Sequence, residues 1–170
     1  GPSAPVIVKL PPFWNTPGFL ETMTEYVRDA VRVMLSRRGV IPDEMRLVFT
    51  AHSLPMGMAA DCDYVDQLRE ASEFVATGAA HGMEWDLVFQ SRSGPPSVPW
   101  VEPDVCDHLR ALAERDIHSV VLVPIGFVAD HMEVLFDLDT QAREVAEELG
   151  IELVRARTVG AAPRFVAGLR

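Results

Sequence analysis

Cysteine is scarce in this sequence. The 170 residues include two cysteines, Cys62 and Cys106, and these form no Cys-x-x-Cys pair. Structural zinc sites and iron–sulfur clusters usually need about four ligands, often supplied by such pairs, so we expect neither within one chain. A single disulfide is the alternative, but two free thiols in a cytoplasmic protein fit the count better.

Long apolar runs and an excess of basic charge are also missing. No segment approaches the about 18 apolar residues that a transmembrane helix needs, and no secretory signal opens the chain. Asp and Glu number 25 against 15 Lys and Arg, a formal net charge of −10. Nucleic-acid binding needs a basic surface, so we expect no nucleic-acid partner and a cytoplasmic location.

Several common catalytic motifs are absent. The sequence contains no GxGxxG, Walker or GxSxG pattern. The "HME" at residues 131–133 shares the H-x-E of zinc deaminases, but their P-C-x-x-C partner is missing, which excludes that interpretation. Nucleotide-binding and serine-hydrolase functions have no support in these residues.

The sequence does contain a regular alternation of predicted strands and helices. Apolar residues at intervals of three and four predict helices over 17–39 with a stop at Gly39, over 63–79, 104–115 and 130–150, and from Pro163 onward. Apolar or β-branched runs predict strands at Val6–Val8, Leu47–Thr50, Trp85–Phe89, 119–126 and 151–156. A Pro/Gly/Ser-rich segment over 90–103 predicts a long loop.

This order predicts the fold class. Strands that alternate with helices favour an α/β domain with three layers, in which helices cover both faces of a parallel sheet of about four strands, as in Rossmann-like lobes. The length suits a single domain over residues 1–170. Residues 1–5, "GPSAP", have the composition of a tag scar or a linker.

Polar residues follow three of the predicted strands. His52 follows the strand at 47–50, residues 90–92 follow the strand at 85–89, and residues 126–133 follow the third. In open parallel sheets, ligands bind beyond the carboxyl ends of the strands. These residues are therefore expected to meet at one edge of the sheet.

Three carboxylates in the third segment stand at helical spacing. Asp130, Glu133 and Asp137 lie at i, i+3 and i+7, so a helix over 130–150 places them on one face, with His131 beside them. The alternative is a solvated acidic face, because a helix dipole favours acids near its N-terminus. Their position directly after a strand end favours a site.

His52 and Trp100 each allow two interpretations. A histidine after a buried strand is either a hydrogen-bonded structural residue or a catalyst. Trp100 is either a core residue or an aromatic side chain that stacks on a flat apolar ligand at a cleft rim. Ser53 does not form a catalytic pair with His52, because neighbours on a strand point to opposite faces.

Three segments together resemble the ferrochelatases, which insert ferrous iron into a porphyrin at the end of haem synthesis. They are "TAHSLP" (50–55), "FQSRSGPPSVPWVEPD" (89–104) and "PIGFVADHMEVLFDLD" (124–139), in the family's order and at about its spacing. The likeness covers nearly the whole chain but only the second half of a typical member, which has two α/β lobes around a porphyrin cleft. It therefore implies a missing N-terminal lobe as a partner.

The resemblance implies roles for single residues. His52 matches the family's metal-site histidine and Glu133 its partner carboxylate, which makes this pair the expected catalytic residues. Asp137 matches the next acid of a row thought to lead metal in or protons out, so His52, Glu133 and Asp137 are the implied metal ligands. The remaining matches line or brace the cleft: Ser53, Gln90, Ser91, Arg92, Trp100, Asp130 and His131.

The chain departs from the family pattern in three places. Gln141 stands where the acidic row often continues, and "DCDY" at 61–64 replaces a Gly-Asp-Pro-Tyr run. Some actinobacterial relatives bind an iron–sulfur cluster partly through a cysteine-bearing tail, which this sequence lacks. The resemblance therefore implies Fe²⁺ as substrate without an iron–sulfur cluster or another bound redox cofactor.

The leading hypothesis is the C-terminal half of a ferrochelatase that acts on coproporphyrin III or protoporphyrin IX. Residues 90–104 resemble actinobacterial members, which favours coproporphyrin III. Imidazole accepts a proton near pH 7, and imidazole and carboxylate both bind Fe²⁺. The alternative hypothesis is a non-catalytic tetrapyrrole- or metal-binding module, and a third is an α/β domain in which these motifs are only structural.

Overall fold

The computed structural model describes residues 7, 9–38 and 45–169. Its helices, α1 to α7, are Pro17–Arg38, Met56–Ala60, Tyr64–Ala79, Val105–Ala113, Met132–Phe136, Ala142–Glu148 and Pro163–Gly168. Its strands, β1 to β4, are Met45–His52, Trp85–Gln90, Ser119–Val123 and Glu152–Arg155. A π-helical turn, Asp137–Gln141, joins α5 to α6. Residues 1–5, Val6, Val8 and the predicted helix stop at Gly39 lie outside the described residues.

All four strands are parallel and form one sheet in the order β2-β1-β3-β4. The two central strands are buried almost throughout: every residue of β3, and all of β1 except His52. Strands covered on both faces need apolar residues on both sides, which explains the continuous apolar run in β3. The predicted α/β class with a four-stranded parallel sheet is confirmed.

Two apolar clusters lie on opposite faces of the sheet. One packs Phe49 of β1 against α1, α3 and α7, where Met23 and Phe165 are buried. The other packs Val48 of β1 against α4 and the helices after β3, where Leu138 is buried. Because successive side chains of a strand point to opposite faces, neighbouring residues of β1 serve different clusters. The result is the expected three-layer sandwich.

The longest helix shows how the sequence pattern becomes packing. Pro17 opens α1. Proline suits this position because the first N–H groups of a helix have no partner within the helix, so none is lost. Met23, Val27 and Met34 are fully buried, while charged residues occupy the opposite face of the helix. Among the residues that the structure describes, no helix is long and apolar enough to cross a membrane.

Two local expectations also hold. Asp104 caps α4, because its carboxylate accepts a hydrogen bond from the backbone N–H of Cys106 at 2.8 Å. Cys62 and Cys106 are both free thiols. Burial raises the pKa of the Cys106 thiol to about 11, so this thiol stays protonated and unreactive at neutral pH.

Candidate active site

Three segments leave the sheet at its carboxyl edge. His52 and Gln90 are the last residues of β1 and β2 and pair in register. The loop after β3 crosses directly over the end of β1, and the backbone N–H of Gly126 donates to the carbonyl of Thr50 at 3.1 Å. A Cβ on Gly126 would lie 2.6 Å from the Cβ and 2.8 Å from the Cα of Ala51, so only glycine allows this approach.

The imidazole of His52 is held in one tautomer. Its Nδ1 lies 2.5 Å from the carbonyl oxygen of Ser53. Because a carbonyl only accepts, Nδ1 carries the hydrogen, and the neutral ring keeps its lone pair on Nε2. The hydroxyl of Tyr64 donates to the carbonyl of His52 at 3.1 Å. Burial raises the pKa of this phenol, so Tyr64 remains a donor at neutral pH.

Glu133 lies opposite the free nitrogen of His52. Its Oε1 is 3.7 Å from Nε2, and the side chains of His52 and Glu133 are 33% and 50% exposed. This gap is too long for a direct hydrogen bond, but a water molecule or a metal ion can bridge two groups at such a separation. The expected meeting of His52 and Glu133 at one edge of the sheet is confirmed, and their chemical role stays a prediction.

The helix that carries Glu133 begins later than the sequence indicates. His131 is its N-cap, and Nδ1 of that ring accepts a hydrogen bond from the Glu133 backbone N–H at 3.2 Å. Asp130 therefore precedes the helix, and its carboxylate pairs with Arg155 at 3.1 Å. The prediction that Asp130 shares a helical face with Glu133 and Asp137 is wrong, because the helix does not include Asp130.

Glu133 and Asp137 are braced by residues at the carboxyl end of β2. The amide Nε2 of Gln90 donates to the carbonyl of Glu133 at 3.0 Å and to Oδ2 of Asp137 at 3.3 Å. The hydroxyl of Ser91 donates to the same oxygen of Asp137. Gln90 is 1% exposed, so it supports the helix from within. The expectation was that its side chain would line the cleft.

Comparison with known proteins places the chain in a family. The ferrochelatase family model matches residues 2–170. The chain belongs to the ferrochelatase family. A ferrochelatase of Rhodopirellula baltica is 49% identical over 170 residues, which make up 98% of this chain and 46% of that protein.

Other ferrochelatase relatives give the same picture. Coproporphyrin III ferrochelatases of Mycolicibacterium smegmatis and Mycobacteroides abscessus are 47% and 49% identical, over 97% of this chain and 48% and 47% of theirs. A solved multi-domain protein of Deinococcus radiodurans, with structural similarity to chelatases, aligns at TM-score 0.48 and 20% identity over 87% of this chain and 29% of that chain. The chain spans about half the length of the curated relatives it matches.

Three other residues matched to the ferrochelatase cleft occupy the loop region beside β1. Ser53 is 2% exposed, and its hydroxyl donates to the carbonyl of Val101 at 2.8 Å. It therefore fastens the Pro-rich loop to β1 and is not the cleft-lining residue that was expected. Trp100 is partly buried and bridges to Pro55, while the exposed Arg92 donates to two carbonyls of its own loop at 3.4 Å. Contact of Trp100 or Arg92 with a ligand stays a prediction.

The residues that the ferrochelatase likeness implies as metal ligands do not form one pre-arranged cluster. In the part of the chain that the structure describes, no group of three or more His, Cys, Asp and Glu side chains is arranged to hold a metal ion. The roles of His52, Glu133 and Asp137 as metal ligands stay a prediction. One oxygen of the Asp137 carboxylate accepts hydrogen bonds from Gln90 and Ser91, whereas Glu133 approaches His52.

Sequence reasoning missed two features of this ferrochelatase-family site. The first is a set of exposed apolar side chains on the helices that follow β1 and β3, namely Met56, Met58 and Met132, which are 49%, 59% and 74% exposed. Their only signal was the position of each methionine just after a strand end or at a helix start. The second is Arg155, whose signal was a charged residue at the carboxyl end of a strand.

Proposed function

We propose that this chain is the half of a ferrochelatase that carries the proton-accepting and metal-binding pair, and that the complete protein inserts Fe²⁺ into a porphyrin. The observation that carries the proposal is the position of Nε2 of His52, which lies 3.7 Å from Oε1 of Glu133 while Nδ1 is held by the carbonyl of Ser53. The family match over residues 2–170 and the relatives named as ferrochelatases support it.

The chemistry exchanges two pyrrole N–H protons for one Fe²⁺ ion. Nε2 of His52 accepts a proton as a general base, and the carboxylate of Glu133 stabilises the imidazolium that forms. Glu133 is half-exposed, so protons can leave through it to solvent. Imidazole and carboxylate also bind Fe²⁺ while the porphyrin nitrogens replace its water ligands. The charges balance, because the ring loses two protons and gains one dication.

Substrate, cofactors and location complete the proposal. Coproporphyrin III is the favoured substrate, because the mycobacterial relatives carry that name and residues 90–104 resemble the actinobacterial loop. Protoporphyrin IX is the alternative. Fe²⁺ is a substrate, and the reaction needs no bound redox group or iron–sulfur cluster. We place the reaction in the cytoplasm.

A second lobe completes the cleft in this proposal. The chain, one domain over residues 1–170, spans about half the length of its relatives. We expect the exposed Met56, Met58 and Met132 to face the porphyrin or the second lobe, because exposed apolar surface is normally covered when the protein works.

The test is a chimera in which this chain replaces the matching half of the Rhodopirellula baltica relative. With Fe²⁺ under anaerobic conditions, the chimera should convert coproporphyrin III to its iron complex, followed by absorbance, and the same assay with protoporphyrin IX ranks the two substrates. The His52→Ala chimera should fold, as judged by circular dichroism, and bind porphyrin without inserting metal.

The second candidate function is a non-catalytic tetrapyrrole- or metal-binding module. The observation that favours it is that the chain spans only about half the length of the relatives. If a folded chimera binds porphyrin and inserts no metal while its Rhodopirellula baltica parent does, the module replaces the enzyme as the better interpretation.

A further inference from the structure

Arg155, at the end of β4, uses all of its hydrogen-bond donors. Its Nε and Nη2 donate to the two oxygens of Asp139 at 2.6 and 2.8 Å, and its Nη1 and Nη2 donate to the two oxygens of Asp130 at 3.1 and 3.3 Å. Nη1 also donates to the carbonyl of Ala156 at 3.2 Å. A guanidinium has five N–H donors, so Arg155 binds two carboxylates bidentately. We call Arg155, Asp130 and Asp139 the arginine clamp.

The arginine clamp encloses the acid-bearing helix. Asp130 precedes α5, Asp139 lies in the π turn that follows it, and Glu133 and Asp137 lie between these two clamp residues. The Arg155 side chain is 13% exposed and comes from a strand of the sheet. One largely buried side chain therefore ties both ends of the segment to the sheet that also carries His52.

Core packing alone does little to hold α5. Within this helix, all of whose residues the structure describes, Val134 alone is buried. Met132, Leu135 and Phe136 are 74%, 43% and 50% exposed. The helix continues through the π turn into α6, where Leu138, Ala142 and Ala146 are fully buried, so core packing holds the C-terminal part of this helical segment. The position of its first turn, which carries Glu133, therefore depends chiefly on polar contacts, those of the arginine clamp and of the Gln90 amide.

We propose that Arg155 is a positioning residue for the His52–Glu133 pair. By fixing Asp130 and Asp139, it sets the position of α5 and keeps the Glu133 carboxylate opposite Nε2 of His52. The proposal rests on the proposed function for what the pair does, but the positioning itself is measurable in this chain without turnover.

The first test is hydrogen exchange in Arg155→Gln, with Arg143→Gln as the matched control. Arg143 also approaches Asp139, at 4.0 Å, but is more exposed and does not bridge two segments. In Arg155→Gln, the backbone amides of residues 133–136 should exchange at least about tenfold faster, while those of β1 and β3 keep their protection. Unchanged exchange in α5, or equal loosening in the control, would overturn the proposal.

A more conservative variant guards against unfolding. Lysine cannot bind two carboxylates bidentately, so Arg155→Lys keeps the charge and removes the geometry of the arginine clamp. If Arg155→Gln does not fold, the same exchange comparison is made on Arg155→Lys and Asp130→Asn, which should both loosen α5. Wild-type exchange in both of these variants would overturn the proposal in the same way.

The second test asks whether Arg155 acts through Glu133, with Zn²⁺ alone as the probe. Arg155→Gln should weaken Zn²⁺ binding about tenfold or more, as loss of a supporting residue around a metal site usually does. The double variant Arg155→Gln/Glu133→Gln should bind no more weakly than Glu133→Gln. Additive losses would show that Arg155 acts by another route and would overturn the proposal.

The two proposals fail in different ways. If His52→Ala binds Zn²⁺ as well as the wild-type chain does, the proposed metal site is wrong, and hydrogen exchange still decides whether Arg155 positions α5. If Zn²⁺ binding depends on His52 and Glu133 but not on Arg155, the site stands and the positioning role is wrong.

Discussion

The substitution Glu133→Gln isolates the electrostatic part of the proposed chemistry. Glutamine keeps the size of the side chain and removes its charge. Two unit charges at about 4 Å interact by about 1 kcal/mol in bulk water and about 4 kcal/mol near a protein surface. Nε2 of His52 and Oε1 of Glu133 are 3.7 Å apart, and the two side chains are 33% and 50% exposed. Because both side chains reach water, the lower part of that range applies, about 1–2 kcal/mol, or about 5- to 30-fold in rate.

The assay is single-turnover metallation by stopped-flow absorbance in the chimera, with Glu147→Gln as the control. Glu147 is exposed on α6, along the same helical segment, so its change removes equal charge away from the cleft. His52→Ala should lose more, about 10²–10⁴-fold, because it removes the base itself. A wild-type rate for Glu133→Gln, or an equal loss in Glu147→Gln, would refute the electrostatic reasoning.

Three further substitutions test other parts of the structure. Gly126→Ala should destabilise the fold by about 1–3 kcal/mol, because the new Cβ would lie 2.6 Å from that of Ala51; an unchanged urea midpoint would contradict this contact. Burial alone would raise the pKa of Asp86, but the hydrogen bond and charge of His108 outweigh burial and lower it. Asp86→Asn should therefore cost about 1 kcal/mol at pH 7, and the loss should shrink below about pH 4 as the wild-type carboxyl protonates; urea unfolding at pH 7 and pH 3 that shows a constant difference would argue against this linkage. Asp137→Asn should slow metallation less than Glu133→Gln does, because the Asp137 carboxylate is already hydrogen-bonded to Gln90 and Ser91. Equal losses of rate in stopped flow would contradict this ranking.

The sheet and half of the candidate site could be predicted from the sequence for a physical reason. A strand such as Ser119–Val123 is apolar on both faces, which only a covered parallel strand requires. Parallel strands put their carboxyl ends on one edge, so His52 and the segment with Glu133 were expected there. The family likeness then singled out this pair from the other polar residues of that edge.

The details of the acid-bearing helix could not be predicted. The spacing of Asp130, Glu133 and Asp137 fits a helix that includes Asp130, whereas the observed N-cap, His131, is not a preferred residue type at that position. The π turn at Asp137–Gln141 has no sequence pattern of its own, although such turns are frequent at functional sites. Nor does periodicity tell where the side chain of a strand's last residue points, so the burial of Gln90 needed the structure.

The crossing of Gly126 over Ala51 has a consequence for redesign of the cleft. Replacing Ala51 by glycine would not make room for a side chain at position 126, because the Cα of residue 51 would still lie 2.8 Å from any added Cβ. The distance between β1 and the loop that leads to Glu133 is therefore limited by contact with the backbone of residue 51. Met56, Met58 and Met132 are exposed and can be varied, while Gly126 keeps the loop at the same distance from β1.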